Sequence, residues 1–431
     1  MCLRAEAKRL TRLQPCRGGA LGPAGRNRLK LRGQKRAREG KRGIMRAVYP
    51  SITTSFEPIL FPNQDHFGKE IANEFMDRNI VSILALALTQ SGKTGSMLGV
   101  IKHCLAEPSL AVPMENIFVI TGYSSTEWVE QTQSRFPEEL RERVFHRNRL
   151  ASFVKEVKHL KNVLILMDEI QIAFGEKQSI HNAFVDAGIM AKEQLYARDI
   201  KVVQFTATPR NTDNFRNHPY SKIVLMTPPP GYISIFQLME TNRIRLYKDV
   251  CGALKEVNYS EVNWKDPKTA KPVLPAVEAN IKELSQAIDE RFGTVPRYHI
   301  VRTGRLQMHD VTILNFKNIF PRATMLSEMD IELDEVLMKA PLKHTFIFIK
   351  DKLRCAKTLH KEHLGILYDR MTRQTSMNSV VQGLAGRLTG YHANDRSIVY
   401  TSPPMIRKYF NLWTAQFEGL AIKSIFIGNN I

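Results

Sequence analysis

Apolar residues in this chain fall into short continuous runs, separated by stretches in which they recur every three or four positions. A short Pro-free apolar run reads as a strand buried on both faces, and the wider spacing as an amphipathic helix. Strands are expected at 81–88, 117–122, 163–167 and 201–205, and again at 297–302, 345–349, 364–368 and 397–400. Helices are expected at 96–105, at 127–135 with Thr126 as N-cap, and at 183–197, 311–320, 377–387 and 404–413. One more follows the strand at 345–349, through Leu359, and another carries Phe67, Ile71, Phe75 and Met76 ahead of the first strand. This alternation predicts an α/β fold with parallel sheets covered on both faces. The rhythm breaks at 226–290, which opens on Thr227-Pro228-Pro229-Pro230-Gly231 and runs through the polar stretch 258–272, so this part reads as a linker or insert. The expected division is a first domain at 46–225, the insert, and a second domain at 291–431.

Charge alters the picture at the N-terminus. The formal net charge is +20, and residues 1–45 hold 14 Lys/Arg against Glu6 and Glu39, about +12 of that total. Such an excess favours a polyanionic partner, nucleic acid first and an anionic membrane surface second. Residues 1–45 are too poor in β-branched and aromatic side chains to build a core and are expected to be disordered. They read as a nucleic-acid arm or nuclear targeting patch, or else as a solvated tail or an extension upstream of Met45. Cys2, Cys16, Cys104, Cys251 and Cys355 form no C-x-x-C pair, which implies neither a zinc site nor a disulfide framework and points to an intracellular reducing compartment, cytoplasm or nucleus. No apolar run approaches the roughly 18 residues that span a bilayer, so no membrane partner is expected.

Four segments carry candidate chemistry. The first is Ala87-Leu88-Thr89-Gln90-Ser91-Gly92-Lys93-Thr94, between a strand and a helix. In that context Gly92 lets the backbone turn around phosphates, Lys93 supplies a charge for the β- and γ-phosphates, and the Thr94 hydroxyl can hold Mg²⁺. The second is Met167-Asp168-Glu169-Ile170-Gln171 at a strand end, where Asp168 would hold the metal and Glu169 polarise a water. The third is Thr206-Ala207-Thr208-Pro209, whose hydroxyls could couple the nucleotide site to a partner groove. The fourth is the stretch from Gln382 to Tyr391, in which Arg387 could reach a γ-phosphate and Gln382 orient the water. Gln64, or else Gln90, could contact an adenine. Taken singly, these are a helix start, a solvated strand end, a turn and an amphipathic helix ending at Gly390.

In this order the set resembles the superfamily-2 DExx-box helicases and translocases, over roughly residues 60–400. Gly-Lys-Thr looks like motif I, Asp-Glu-Ile-Gln like motif II, Thr-Ala-Thr like motif III and the Gln382–Tyr391 stretch like motif VI. The helicase-like proteins of phages and large DNA viruses have segments similar to Ile120-Thr121-Gly122-Tyr123-Ser124-Ser125-Thr126-Glu127-Trp128. The resemblance implies two RecA-like domains in tandem with ATP and Mg²⁺ in the interdomain cleft. ATP would meet Ala87, Thr89, Gln90, Ser91, Gly92, Lys93 and Thr94, and Mg²⁺ Thr94 and Asp168. Ser124, Ser125 and Thr126 would contact a nucleic-acid backbone, DNA slightly favoured over RNA, with Trp128 stacking on a base or packed in the core. Thr206 and Thr208 would couple the sites. Lys350, Lys352, Arg354 and Lys357 would make a basic helix at the position of motif IV. Two features depart from the family pattern. Gly390 and Tyr391 stand where motif VI commonly has a second arginine, and the Gly-x-Asp of motif V has only Gly365, Asp369 and Arg370 near it. The alternatives are a translocase or remodeller that never separates strands, or a catalytically decayed nucleic-acid-binding relative.

Overall fold

The computed structural model describes residues 56–121, 126–169, 178–209, 219–252, 275–304, 307–350, 358–372, 375–391, 394 and 396–417. The basic tail, Ser124 and Ser125, residues 258–272, and Lys352, Arg354 and Lys357 lie outside them, as does most of the helix expected through Leu359.

The first sheet holds six strands: β1 (Ser82–Leu86), β2 (Ile117–Thr121), β3 (Val144–Phe145), β4 (Val163–Asp168), β5 (Ile200–Thr206) and β6 (Ser221–Leu225). Their order is β3-β2-β4-β5-β1-β6, with every pairing parallel. The second sheet is built from β7 (Ile244–Leu246), β8 (Tyr298–Arg302), β9 (Thr324–Ser327), β10 (Thr345–Ile349), β11 (Leu364–Tyr368) and β12 (Ile398–Thr401). Their order is β7-β12-β11-β8-β10-β9, again all parallel. Every residue of β1, β2, β5, β10 and β11 is buried. That is why these strands are mostly apolar, with Lys201 and Gln204 of β5 as interior exceptions: the helices between parallel strands cover both faces. Both sheets belong to one compact unit, Ser55–Ile431.

Strand order places the chemistry. β4, β5 and β1 are neighbours, with Asp168 opposite Phe205 and Thr206 opposite Leu86. The loops that leave their C-terminal ends therefore lie side by side, so segments far apart in sequence share one sheet edge. An apolar cluster joins this sheet to the second one: Leu84, Leu86 and Leu88 pack with Tyr232, Ile235, Leu384, Tyr409 and Phe417. Tyr409 is fully buried, and its hydroxyl donates to the Ala207 carbonyl at 2.7 Å.

Three expectations are corrected. The helix expected at 183–197 is two, Ser179–Asp186 and Lys192–Arg198. Gly188 ends the first at φ 64°, and the Ile189 N–H reaches back to the Phe184 carbonyl, a glycine-terminated cap that apolar periodicity does not register. The helix expected at 377–387 is likewise two, Met377–Val381 and Leu384–Leu388: Gly383 leaves the helical region at ψ −142°, and a Cβ there would lie 2.1 Å from the Ser379 carbonyl oxygen, so the break requires glycine. The segment read as linker or insert contributes the helix Ile235–Glu240, most of the 18-residue helix Pro275–Phe292, and β7, which pairs with β12 at the edge of the second sheet. A three-residue edge strand carries too little apolar pattern to stand out from its polar surroundings.

Candidate nucleotide site between the two sheets

The Gly-Lys-Thr loop is shaped by its backbone. β1 is prolonged by the Ala87 N–H, which donates to the Thr206 carbonyl at 3.1 Å. Ser91 closes the following turn by donating both its N–H and its hydroxyl to Leu88 O. Gly92 then adopts φ 102°, a left-handed conformation suited to glycine, and the helix Lys93–Ala106 begins. Lys93 and Thr94 thus stand in the first turn of a 14-residue helix, where the helix dipole is positive. Ala87 lies outside the left-handed region, so this position has no backbone need for glycine.

Gln64 holds the loop from behind. It is the third residue of the helix Pro62–Glu74, and its amide oxygen accepts from the Phe61 N–H at 3.1 Å while its Nε2 donates to Gly92 O at 3.2 Å. The two helices touch through glycine: a Cβ on Gly68 would lie 2.2 Å from the Gly99 carbonyl carbon. Gln64 still has one N–H and one oxygen lone pair to offer a ligand.

The carboxylates leave the end of β4. Asp168 is its last residue, and its carbonyl accepts from the Thr121 hydroxyl at 3.2 Å. Glu169 has φ 53°, uncommon for a non-glycine residue, and its N–H donates to Phe205 O at 3.0 Å. That twist turns the buried Glu169 side chain toward Lys93, with which it forms an ion pair through Oε1. Its Oε2 accepts from Gln382 Nε2 at 2.8 Å. The carboxylate is therefore gripped by a cation from the first sheet's loop and an amide from the second sheet's side.

The same Gln382 nitrogen donates to the Thr208 hydroxyl at 3.0 Å, which in turn donates to Asn378 Oδ1 at 2.6 Å. Thr206 Oγ1 accepts the Thr208 N–H at 3.1 Å. The Thr208 hydroxyl thus links the two sides, while Thr206 braces it from within the same loop. Arg387 is buried, and its Nη2 donates to Gln382 O at 3.2 Å, which fixes it beside the residue that holds Glu169.

All of this surrounds one cleft of about 310 Å³. Gln64, Thr89, Gln90, Gly92, Lys93, Thr94, Asp168, Glu169, Gln382 and Arg387 all line it. Ala87, Ser91, Thr206 and Thr208 are buried behind its wall. Ser124 and Ser125 are not among the described residues, and Thr126 opens the helix Thr126–Arg135. Among the described residues there is no group of three or more His, Cys, Asp or Glu side chains that would hold a metal by themselves. None of their helices is long and apolar enough to cross a membrane.

The structure adds residues the sequence reading passed over. Phe61 and Tyr391 line the cleft from opposite sides, their rings nearly parallel at 22° with centroids 6.3 Å apart. Arg135 comes within 3.5 Å of the Thr94 hydroxyl. The Thr89 carbonyl accepts from Tyr232 OH at 2.6 Å and from Thr389 Oγ1 at 2.8 Å. Ile233 and Gly390 form an antiparallel bridge that ties the Arg387 segment to the chain entering β7. Lys361, buried, reaches the same segment, donating to the carbonyls of Thr389 and Tyr391. Burial, with Arg387 and Arg243 nearby, lowers the Lys361 ammonium to about 8. No local pattern marks these places in the sequence, since most of these contacts join residues remote in the chain. Asp369, the candidate for motif V, pairs with Arg302 at 2.8 Å and accepts from Thr401 at 3.0 Å. Burial raises the Asp369 pKa despite that arginine.

Two tandem parallel sheets, with strand-end loops meeting across a cleft, make a tandem RecA-like fold. No protein-family model matches the chain. An uncharacterized protein of Acanthamoeba polyphaga mimivirus is 22% identical over 354 residues, covering 77% of this chain and 82% of that one. Among solved structures, LlaBIII, an ATP-dependent Type ISP restriction-modification enzyme bound to DNA, superposes with a TM-score of 0.51 at 12% identity. That match covers 83% of this chain and 29% of the enzyme, so the chain spans less than a third of its length. The helicase domain of Hef from Pyrococcus furiosus gives a TM-score of 0.41 at 13% identity, over 81% of this chain and 97% of that domain.

Proposed function

We propose that the chain is an ATP hydrolase that moves along or unwinds nucleic acid. The observation that carries this reading is Glu169, held between Lys93 and Gln382 from the two sides of one cleft. A buried carboxylate gripped this way is held in one orientation, as a positioned proton acceptor must be.

Each side chain then has a task. The first turn of the helix Lys93–Ala106 and the Lys93 ammonium receive the β- and γ-phosphates of ATP. The base lies toward Phe61, Tyr391 and the remaining capacity of Gln64. Thr94 and Asp168 line the cleft together and offer the hard oxygen donors that Mg²⁺ takes. When bound there, the ion neutralises charge on the phosphates. Glu169 accepts a proton from the water that attacks the γ-phosphorus, as the bond to the β–γ bridging oxygen breaks. Arg387 steadies charge on the γ-phosphoryl oxygens. The chain Gln382–Thr208–Asn378 would pass the change at Glu169 to the second lobe. The track would run over the strand-end segment that leads into Thr126, where backbone and hydroxyl donors meet phosphates.

The test is steady-state ATP hydrolysis, with and without single-stranded DNA and RNA. Stimulation by one nucleic acid, lost in Lys93→Ala, is expected. Glu169→Gln should lower turnover by about 10²–10⁴-fold while ATP still binds. Full turnover in Glu169→Gln removes the assigned base. ATP binding without hydrolysis under every condition would favour the decayed reading.

A further inference from the structure

Lys361 is a buried ammonium with neutral partners. It comes from the turn ahead of β11, is 5% exposed, and donates to two main-chain carbonyls, Thr389 O and Tyr391 O. Among the described residues it has no carboxylate partner. The charges closest to it are themselves cations, Arg387 and Arg243. Arg243 is committed to the carbonyls of Ser397 and Asn394 at 2.8 Å and 2.5 Å. Asp168 and Glu169 line the cleft from the first sheet's side, with Glu169 paired to Lys93. Tyr391 contributes a phenol on Lys361's own side, and the chain neighbours His360 and Glu362 are exposed.

Burying a cation among cations is costly unless something anionic completes the set. Two of the three ammonium protons are used on carbonyls, and the residue lines the same cleft as Arg387 and Lys93. The carbonyls it binds flank Gly390, where the chain carries no second arginine after Arg387. We propose that Lys361 is a phosphate-binding residue, supplying to the bound nucleotide a second cation beside Arg387 from a different segment of the chain. This rests on the nucleotide reading of the cleft.

A strut that merely pins the Thr389–Tyr391 turn would keep its two carbonyls whether or not an anion bound. A phosphate ligand would be held more strongly once charged, and binding would draw in a proton near pH 8, where the lysine is about half neutral. Calorimetric titration with MgATP at pH 8, in two buffers of different ionisation enthalpy, measures that proton. The wild-type chain is expected to take up about half a proton per nucleotide. Lys361→Arg should bind within about three-fold of wild type and take up none, since its guanidinium does not titrate there. Lys361→Met should bind at least roughly ten-fold more weakly, the scale of one lost charged hydrogen bond. The loss should be the same for inorganic tripolyphosphate, which has no base. Thermal melting shows whether each variant is folded. Equal proton uptake in all three proteins, or unchanged affinity in a folded Lys361→Met, overturns the proposal and leaves the nucleotide site standing. A wild-type chain that binds neither MgATP nor tripolyphosphate overturns both.

Discussion

Replacing Gly68 by alanine tests how the Gly-Lys-Thr loop is held. The added Cβ would lie 2.2 Å from the Gly99 carbonyl carbon and 2.6 Å from both Gly99 O and Val100 N. All three are main-chain atoms inside a helix, so no side chain can swing aside. The helices Pro62–Glu74 and Lys93–Ala106 must separate by about 1 Å to restore ordinary contact. Overpacking of this kind costs about 1–3 kcal/mol. Loss of the Gln64–Gly92 hydrogen bond adds about 1 kcal/mol, while alanine's better helix propensity returns about 0.5–1 kcal/mol. The net expectation is a loss of about 1–3 kcal/mol. Gly95→Ala makes the control, because its Cβ would meet the flexible end of Gln64, with Oε1 at 2.3 Å. It should cost less stability yet weaken ATP binding, by pushing the Gln64 amide off Gly92. Urea unfolding of the two variants and the wild type, with slopes compared, reads the stability. Gly68→Ala within about 0.5 kcal/mol of wild type, or less harmful than Gly95→Ala, would refute the close contact.

Gln382→Ala removes the amide that bridges Glu169 and Thr208, so turnover should fall by about ten-fold or more with a smaller change in ATP affinity, read from kcat and KM. Tyr232→Phe deletes the 2.6 Å bond to Thr89 O and should destabilise by about 1 kcal/mol in denaturant unfolding. His299 is fully buried, with Nδ1 accepting from the Ile366 N–H and Nε2 in contact with His344 at 2.9 Å; burial, His344 and Arg297 lower its pKa well below 6.5. The unfolded chain therefore takes up a proton that the folded one refuses, so stability should be full above pH 6.5 and decline below it by up to about 1.4 kcal/mol per pH unit. Unfolding curves between pH 7.5 and pH 5.5, flatter for His299→Gln, check this.

What the sequence revealed and concealed has a physical cause. Residues 163–167 are apolar throughout, and 201–205 are apolar but for Lys201 and Gln204, because a strand covered on both faces has little polar side to show, and so β4 and β5 were legible. The Gly-Lys-Thr, Asp-Glu and Thr-Ala-Thr segments were legible as chemistry because each follows such a strand. Their convergence comes from the β4-β5-β1 order, which no local pattern carries. Gly188 and Gly383 broke helices where apolar spacing ran straight on. Lys361, Tyr232 and Thr389 looked like ordinary surface or core residues, since their meaning lies in carbonyls contributed by other segments. Gln64 was read only as a contact for an adenine, because its hold on Gly92 needed the two helices in place.

The pairing of β7 with β12 ties synthesis of the chain to its assembly. Ile244 lies opposite Val399, and Leu246 opposite Thr401. β7 leaves the ribosome before any other strand of the second sheet, yet its partner is the last to emerge. The other five strands can associate as they appear, while this one must wait through about 150 residues of further translation. A nascent chain halted before Ile398 would leave both β7 and β11 with an open edge. Completion of this lobe therefore waits on the codons for Ile398–Thr401 being read.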